Sequence, residues 1–207
     1  MIELFTSALV TFLVVIDPPG CAPIFASLTQ GVAPRERRIM AVRATIIGAL
    51  ILLFFAILGE DLLSALGVSL SSFRIAGGIM LFLVALEMVF EKRTERRETR
   101  AQEVQDTPEQ EDITVFPMAI PMIAGPGSIA SVMLLTARSE GPAESLVVFA
   151  ALGVTLLLTL LTLIMAGPLM RILGPRIEAM ITRILGVILA ALAAQFVVDG
   201  VSRSFNV

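Results

Sequence analysis

The candidate functional residues of this chain lie in two proline- and glycine-rich clusters, each inside an apolar stretch. The first cluster is residues 17–23, DPPGCAP, and the second is residues 121–127, PMIAGPG, which Ser128 follows. Proline and glycine interrupt a helix and leave backbone N–H and C=O groups without helical partners. In hydrocarbon such groups persist only where protein or a hydrated cavity surrounds them. Breaks at corresponding places in two halves of a membrane protein predict a transport site.

Asp17 is the residue of the first cluster that could bind a coupling ion. Thirteen apolar or hydroxylic residues, 4–16, separate it from Glu3, so we expect its carboxyl group to lie inside the hydrocarbon. There it could couple transport to H⁺ or, with freed carbonyl groups, bind Na⁺. A structural role is the alternative, because an Asp before Pro-Pro-Gly can accept hydrogen bonds from freed N–H groups and hold the turn.

Both interrupted helices are expected to resume within the membrane, near residues 22–23 and near Ser128. A helix N-terminus offers free N–H groups and a partial positive charge, which suit a carboxylate or another anion. With Asp17 beside two such ends, the site suits a zwitterion whose ammonium group contacts Asp17. The predicted substrate-binding residues are Asp17, Pro18, Gly20, Cys21, Pro23, Gly125, Pro126, Gly127 and Ser128, and Asp17 is also the predicted ion-coupling residue. We expect no catalytic residue, no metal site, and no cofactor beyond a coupling ion, H⁺ or Na⁺.

Membrane-spanning helices are expected to carry both clusters. Of 207 residues, 57% are apolar and 16% are charged, and the mean hydropathy is +0.92. About 20 apolar residues in a helix cross the hydrocarbon core of a bilayer. The pattern predicts an all-α integral membrane protein with six spans, the first and fourth broken near mid-membrane. The predicted spans are residues 4–30, 39–59, 72–90, 113–137, 145–170 and 178–199.

A weak internal repeat relates the two halves of the chain. Setting Pro19-Gly20 on Pro126-Gly127, an offset of 107 residues, also sets Leu28-Thr29 on Leu135-Thr136. We therefore divide the chain into a first three-helix repeat (1–90), a charged linker (91–112) and a second three-helix repeat (113–207). Because each repeat has an odd number of spans, the second would enter the membrane from the opposite side, which makes the repeats inverted. The linker holds eight acidic and five basic residues, and we expect it to be solvated.

Basic residues predict how the chain is oriented. With these six spans, the loops after spans one, three and five hold twelve of the fifteen Lys and Arg residues. By the positive-inside rule these loops and the linker are cytoplasmic, and both termini are extracytoplasmic. The expected location is the cytoplasmic (inner) membrane of a bacterium or an archaeon. The expected partners are the lipid bilayer, a small zwitterionic or anionic solute and further copies of the chain, and no nucleic acid.

The two clusters, read as DPPGCAPIF from Asp17 and IAGPGSI from Ile123, resemble the MarC family (also called UPF0056) over nearly the whole chain. The resemblance implies a six-span protein and, as for some members of the family, transport of small neutral amino acids such as alanine and glycine. The family pattern reads Asp-Pro-Phe/Leu-Gly-Asn-x-Pro, from which Pro19 and Cys21 depart. The Asn amide that the pattern places at position 21 is therefore missing here, together with the substrate hydrogen bond expected from it.

Three classes of function compete on the sequence. The paired breaks and the repeat favour a secondary transporter that works by alternating access. A channel, or an exporter of another small solute, could use the same breaks. An intramembrane enzyme is disfavoured: a nucleophilic Ser128 would need a basic partner, the chain has no His, and its only lysine, Lys92, lies in the linker.

Overall fold

The computed structural model describes residues 1–106 and 112–205, and this part of the chain is helical and contains no strand. Residues 107–111 of the predicted linker and 206–207 of the predicted second repeat lie outside the described residues. The helices are α1 (Ile2–Ile16), α2 (Pro18–Leu28), α3 (Pro34–Ala65), α4 (Leu70–Val89), α5 (Lys92–Asp106), α6 (Pro126–Thr136), α7 (Pro142–Ile164) and α8 (Ala166–Phe205). An irregular helical segment, Thr114–Ile123, precedes α6.

Five helical stretches in the described residues are long and apolar enough to cross a membrane. They are Ile2–Leu28, which combines α1 and α2, then α3, α4, α7 and the Arg176–Phe205 part of α8. The segment Thr114–Ile123 and α6 meet at an angle of 52° and together make a sixth candidate span. The predicted all-α architecture is therefore confirmed, with five spans or six.

The first break is confined to one residue. Asp17 has left-handed backbone angles, φ 57° and ψ 66°, which end α1 at Ile16. Helix α2 begins at once with Pro18, earlier than the predicted restart near residues 22–23. A proline fits there because the first N–H groups of a helix have no intrahelical acceptor, so Pro18 and Pro19 lose nothing in the first turn.

The second break is longer. Phe116 and Ile120 have extended backbone angles inside the segment Thr114–Ile123. Each precedes a proline, whose ring disfavours helical angles for the residue before it. Helix α6 then begins at Pro126, two residues before the predicted restart.

The most extensive helix packing joins the two halves of the chain. Helix α1 packs against α7, and α3 packs against the segment Thr114–Ile123 and α6. In the same way α2 packs against α8, and α4 packs against α6. The closest pair is α4 and α8, which are antiparallel and whose backbones approach each other closely. A Cβ atom added to Gly78 would lie 2.9 Å from the Ala193 carbonyl oxygen, and one added to Gly186 would lie 3.1 Å from that of Ala85.

Candidate functional site

The two helix breaks meet in the interior of the bundle. Gly127, in the first turn of α6, approaches Val15 so closely that an added Cβ atom would lie 3.1 Å from Val15 Cγ1. Val15 and the run Gly125, Pro126, Gly127 and Ser128 line a cavity of about 250 Å³, which we call the break cavity. Its remaining walls come from α4, from the segment Thr114–Ile123 and from α5. The break cavity is therefore bounded by the second predicted cluster, by Val15 just before the first cluster and by part of the linker.

Asp17 holds the first break together. Its side chain is 1% exposed, and Oδ1 accepts a hydrogen bond of 3.1 Å from the Gly20 N–H. This is an N-cap: the carboxylate satisfies one of the free amides of α2. Gly20 has to lack a side chain, because a Cβ atom there would overlap the Asp17 carboxylate and lie 2.9 Å from Arg97 Nη1. The structural role predicted for Asp17 is confirmed by this contact.

The other oxygen of Asp17 faces a cation from the linker. Arg97 Nη1 lies 3.1 Å from Asp17 Oδ2, and the Arg97 side chain is 10% exposed. One turn earlier on α5, Arg93 Nη2 donates a hydrogen bond of 2.6 Å to the Val15 carbonyl oxygen. Two arginines at positions i and i+4 of α5 thus contact the first break, Arg93 at Val15 and Arg97 at Asp17. We expected the linker to be solvated and did not predict that its arginines would contact the first break.

Most of the charged residues that line the break cavity are positive. Arg93, Arg96 and Arg97 line it together with one acid, Glu87, whose Oε1 lies 2.6 Å from Arg96 Nη1. Burial and, second, the nearby Arg97 together lower the pKa of Arg93 to about 10, while Asp17 opposes the change. An anionic group that entered the break cavity would relieve this repulsion between guanidinium groups.

The two helix ends differ in how their amides are satisfied. Asp17 caps α2, whereas α6 begins after Gly125, and no side chain caps it. The first-turn amides of α6 therefore remain for water or a ligand at the wall of the break cavity. A small solute with a carboxylate could accept hydrogen bonds from the amides of Gly127 and Ser128, beside arginine side chains and within reach of one acid.

The structure places the predicted site residues in three groups. Gly125, Pro126, Gly127 and Ser128 line the break cavity. Asp17, Pro18, Gly20 and Cys21 are buried next to it, and Asp17 contacts the Arg97 side chain that lines it. Pro23 instead lines a second cavity of about 520 Å³, on the other face of α5. The second cavity is also lined by Glu91, Thr94, Glu95, Glu98 and Glu178.

Arg93, Arg97 and Glu87 line the break cavity but were not among the predicted site residues. A usable signal was present, since the basic residues at 93, 96 and 97 share one face of a helix. Within residues 1–106 and 112–205, no three His, Cys, Asp or Glu side chains gather closely enough to hold a metal ion.

Comparison with known proteins places this chain in a family. A family model described as "MarC family integral membrane protein" matches residues 2–205. A UPF0056 membrane protein from Methanocaldococcus jannaschii is 34% identical over 200 residues, which cover 97% of each chain. The UPF0056 membrane protein YvbG of Bacillus subtilis is 31% identical over 207 residues, covering 100% of this chain and 98% of the relative. The UPF0056 inner membrane protein YhgN of Escherichia coli is 32% identical over 195 residues, covering 94% of each. No solved structure matches the chain. The expected family is confirmed: the chain belongs to the MarC (UPF0056) family of multi-pass integral membrane proteins.

Proposed function

We propose that this chain is a secondary transporter of small neutral amino acids, alanine- or glycine-like, that works by alternating access with H⁺ or Na⁺ as the coupling ion. The observation that carries the proposal is the meeting of two helix breaks at the break cavity. Irregular backbone inside a membrane bundle is typical of a solute site, because the freed amides and carbonyl groups then serve as ligands.

The charges around the break cavity suit a zwitterion. The amino-acid carboxylate would accept hydrogen bonds from the uncapped α6 amides and contact Arg93. The ammonium group would contact an acid, either Glu87 in the cavity wall or Asp17 behind it. A volume of about 250 Å³ leaves room for a side chain no larger than a few carbon atoms and some water.

The pattern of helix contacts supports the inverted repeat. Under the proposed symmetry α2 corresponds to α6, α3 to α7 and α4 to α8. The contact of α2 with α8 then corresponds to that of α6 with α4, and the contact of α3 with α6 to that of α7 with α2. The contact of α4 with α8 corresponds to itself. Alternating access in such a protein is a rocking of one repeat against the other around a fixed site.

Our proposed orientation places α5 in the cytoplasm and both termini outside it, following the positive-inside rule. The break cavity would then face the cytoplasm in the described conformation, because α5 forms one of its walls. This location agrees with that of YhgN, whose name describes an inner membrane protein.

The test is uptake of labelled alanine and glycine into proteoliposomes under an imposed pH or Na⁺ gradient. Asp17→Asn is compared with Asp61→Asn, which makes the same chemical change at an exposed position on α3. The proposal expects gradient-driven uptake by the wild type and by Asp61→Asn, and uptake without gradient dependence in Asp17→Asn. Uptake that stays gradient-driven in Asp17→Asn would remove the coupling role from this residue.

The alternative class is a channel or an exporter of another small solute. A channel would conduct far above the turnover of a carrier and would depend only weakly on a coupling gradient. Recording the conductance of the same proteoliposomes after fusion with a planar bilayer separates the two classes.

A further inference from the structure

Helix α5 separates the break cavity from the second cavity, and its two faces carry opposite charge. The face with Arg93, Arg96 and Arg97 lines the break cavity, and the face with Glu95 and Glu98 lines the second cavity. Nine of its fifteen residues are charged, so burial of apolar surface contributes little to its position. Specific charged contacts hold α5 in place, and such contacts can be exchanged for others.

The contact that matters most is the ion pair at the break. The Arg97 guanidinium lies 3.1 Å from Asp17 Oδ2 and is almost as buried as the carboxylate. Asp17 has one oxygen engaged by the Gly20 amide and the other by Arg97. In the described conformation both carboxylate oxygens of Asp17 are therefore engaged, and neither is open to a cation from solution. Arg97 occupies the position that the ammonium group of a solute, or a coupling cation, would need.

We propose that α5 is an autoinhibitory plug, and that Arg97 is a tethered cation that competes with the transported ammonium group or the coupling ion for Asp17. This inference rests on the proposed function and adds a mechanism that regulates access to its site. When a cation from solution replaces Arg97, α5 leaves the break, and the two cavities that it separates become one vestibule leading to Asp17.

A reporter of this opening is built into the chain. Cys21 is the only cysteine, it is fully buried, and it lies four residues after Asp17, with Sγ 3.5 Å from the Ile16 carbonyl oxygen. While α5 is in place, a charged methanethiosulfonate reagent has to wait for an opening before it can modify Cys21. The rate of labelling therefore measures how often the plug is open.

The experiment compares labelling of Cys21 in nanodiscs for the wild type, Arg97→Gln and Lys92→Gln. Lys92→Gln removes the same charge from an exposed position on α5 and serves as the matched control. Loss of a typical coupling between contacting side chains corresponds to a roughly tenfold change in an opening equilibrium. We expect Arg97→Gln to label about tenfold faster than the wild type and Lys92→Gln to label at the wild-type rate. Arg93→Gln, which frees α5 from the Val15 carbonyl and leaves Asp17 unchanged, should also label faster.

Two outcomes overturn the plug. One is labelling of Arg97→Gln at the wild-type rate. The other appears in a Cys21→Ser background with Ala44→Cys, a buried position on α3: if Arg97→Gln exposes this cysteine as much as Cys21, the ion pair stabilises the whole bundle and closes no site. Alanine uptake is measured on the same variants reconstituted in proteoliposomes. Faster labelling without uptake would retain the plug and reject the amino-acid function, and uptake with unchanged labelling would do the reverse.

Discussion

The Asp17–Arg97 ion pair gives the sharpest energetic prediction. At 3.1 Å, two unit charges attract each other by about 5 kcal/mol at an effective dielectric constant of ~20. Desolvation of both groups offsets much of this attraction. Removing one partner leaves a buried charge alone, so we expect Asp17→Asn to lower the free energy of unfolding by about 3–5 kcal/mol. The Asn side chain can still accept the hydrogen bond from the Gly20 amide, which separates the loss of charge from the loss of the cap.

The assay is a double-mutant cycle of Asp17→Asn and Arg97→Gln. Unfolding by sodium dodecyl sulfate in mixed micelles would be followed by circular dichroism, because the chain has no Trp or Tyr. We expect the double variant to be more stable than the sum of the single changes implies, with a coupling of about 1–3 kcal/mol. Asp17→Ala should cost about 1 kcal/mol more than Asp17→Asn, because it also removes the cap.

A second ion pair supplies the control for burial. Arg138 Nη2 lies 2.6 Å from Asp199 Oδ2, but the two side chains are 36% and 19% exposed. Water screens this pair, and its cycle should give a coupling of about 1 kcal/mol or less. Burial does not strengthen the Asp17–Arg97 ion pair if its coupling is below ~0.5 kcal/mol or no larger than that of the exposed pair.

Three further predictions concern helix packing, the pH dependence of stability and helix capping. Gly78→Ala should destabilise the fold by about 1–3 kcal/mol, because the new methyl group meets the backbone of α8, whereas Gly153→Ala meets nothing within 4 Å and should be neutral or stabilising by up to ~1 kcal/mol; the two are compared by thermal unfolding. Asp112 accepts a hydrogen bond of 2.6 Å from the Thr114 hydroxyl, which holds the pKa of Asp112 below its usual range. Its stabilising contribution is present above the unfolded pKa of about 3.9 and is lost as the pH falls through the lower folded value, so a titration of unfolding temperature against pH should show a loss below about pH 4 that Asp112→Asn removes. Ser69→Ala should cost about 1 kcal/mol in chemical unfolding, because the Ser69 hydroxyl caps α4 by accepting a hydrogen bond from the Ser72 N–H at 3.1 Å; an unchanged midpoint would show that the cap contributes nothing.

The helix breaks could be predicted from the sequence because they depend on local backbone chemistry. Proline and glycine remove donors and permit unusual angles wherever they occur, and the contact of Asp17 with Gly20 spans only three residues. The restart points were predicted too late, since a proline in a first turn does not delay a helix. The correctly predicted breaks and the wrongly predicted restart points therefore depend on the same prolines and glycines.

The contribution of α5 could not be predicted in the same way. Arg97 lies 80 residues from Asp17, and no local rule selects it from the other basic residues of the linker. Mixed charge in a linker is equally typical of a solvated helix and of one that docks. Docking depends on partners in other parts of the chain, among them the Asp17 carboxylate and the Val15 carbonyl oxygen. The inverted repeat on which the pairing of the breaks depends remains a prediction.

The distance of 80 residues between Asp17 and its partner has a consequence for biosynthesis. At a translation rate of about 5–20 residues per second, Arg97 emerges from the ribosome roughly 4–16 s after Asp17. During that interval the first span carries a carboxyl group that lacks its counter-ion, and α7 and α8, against which α1 and α2 pack, have not been made. We therefore expect the nascent first span to stay beside the insertion machinery until Arg97 has been made. A chain truncated before Arg97 should remain bound to that machinery and be degraded, whereas the full chain releases.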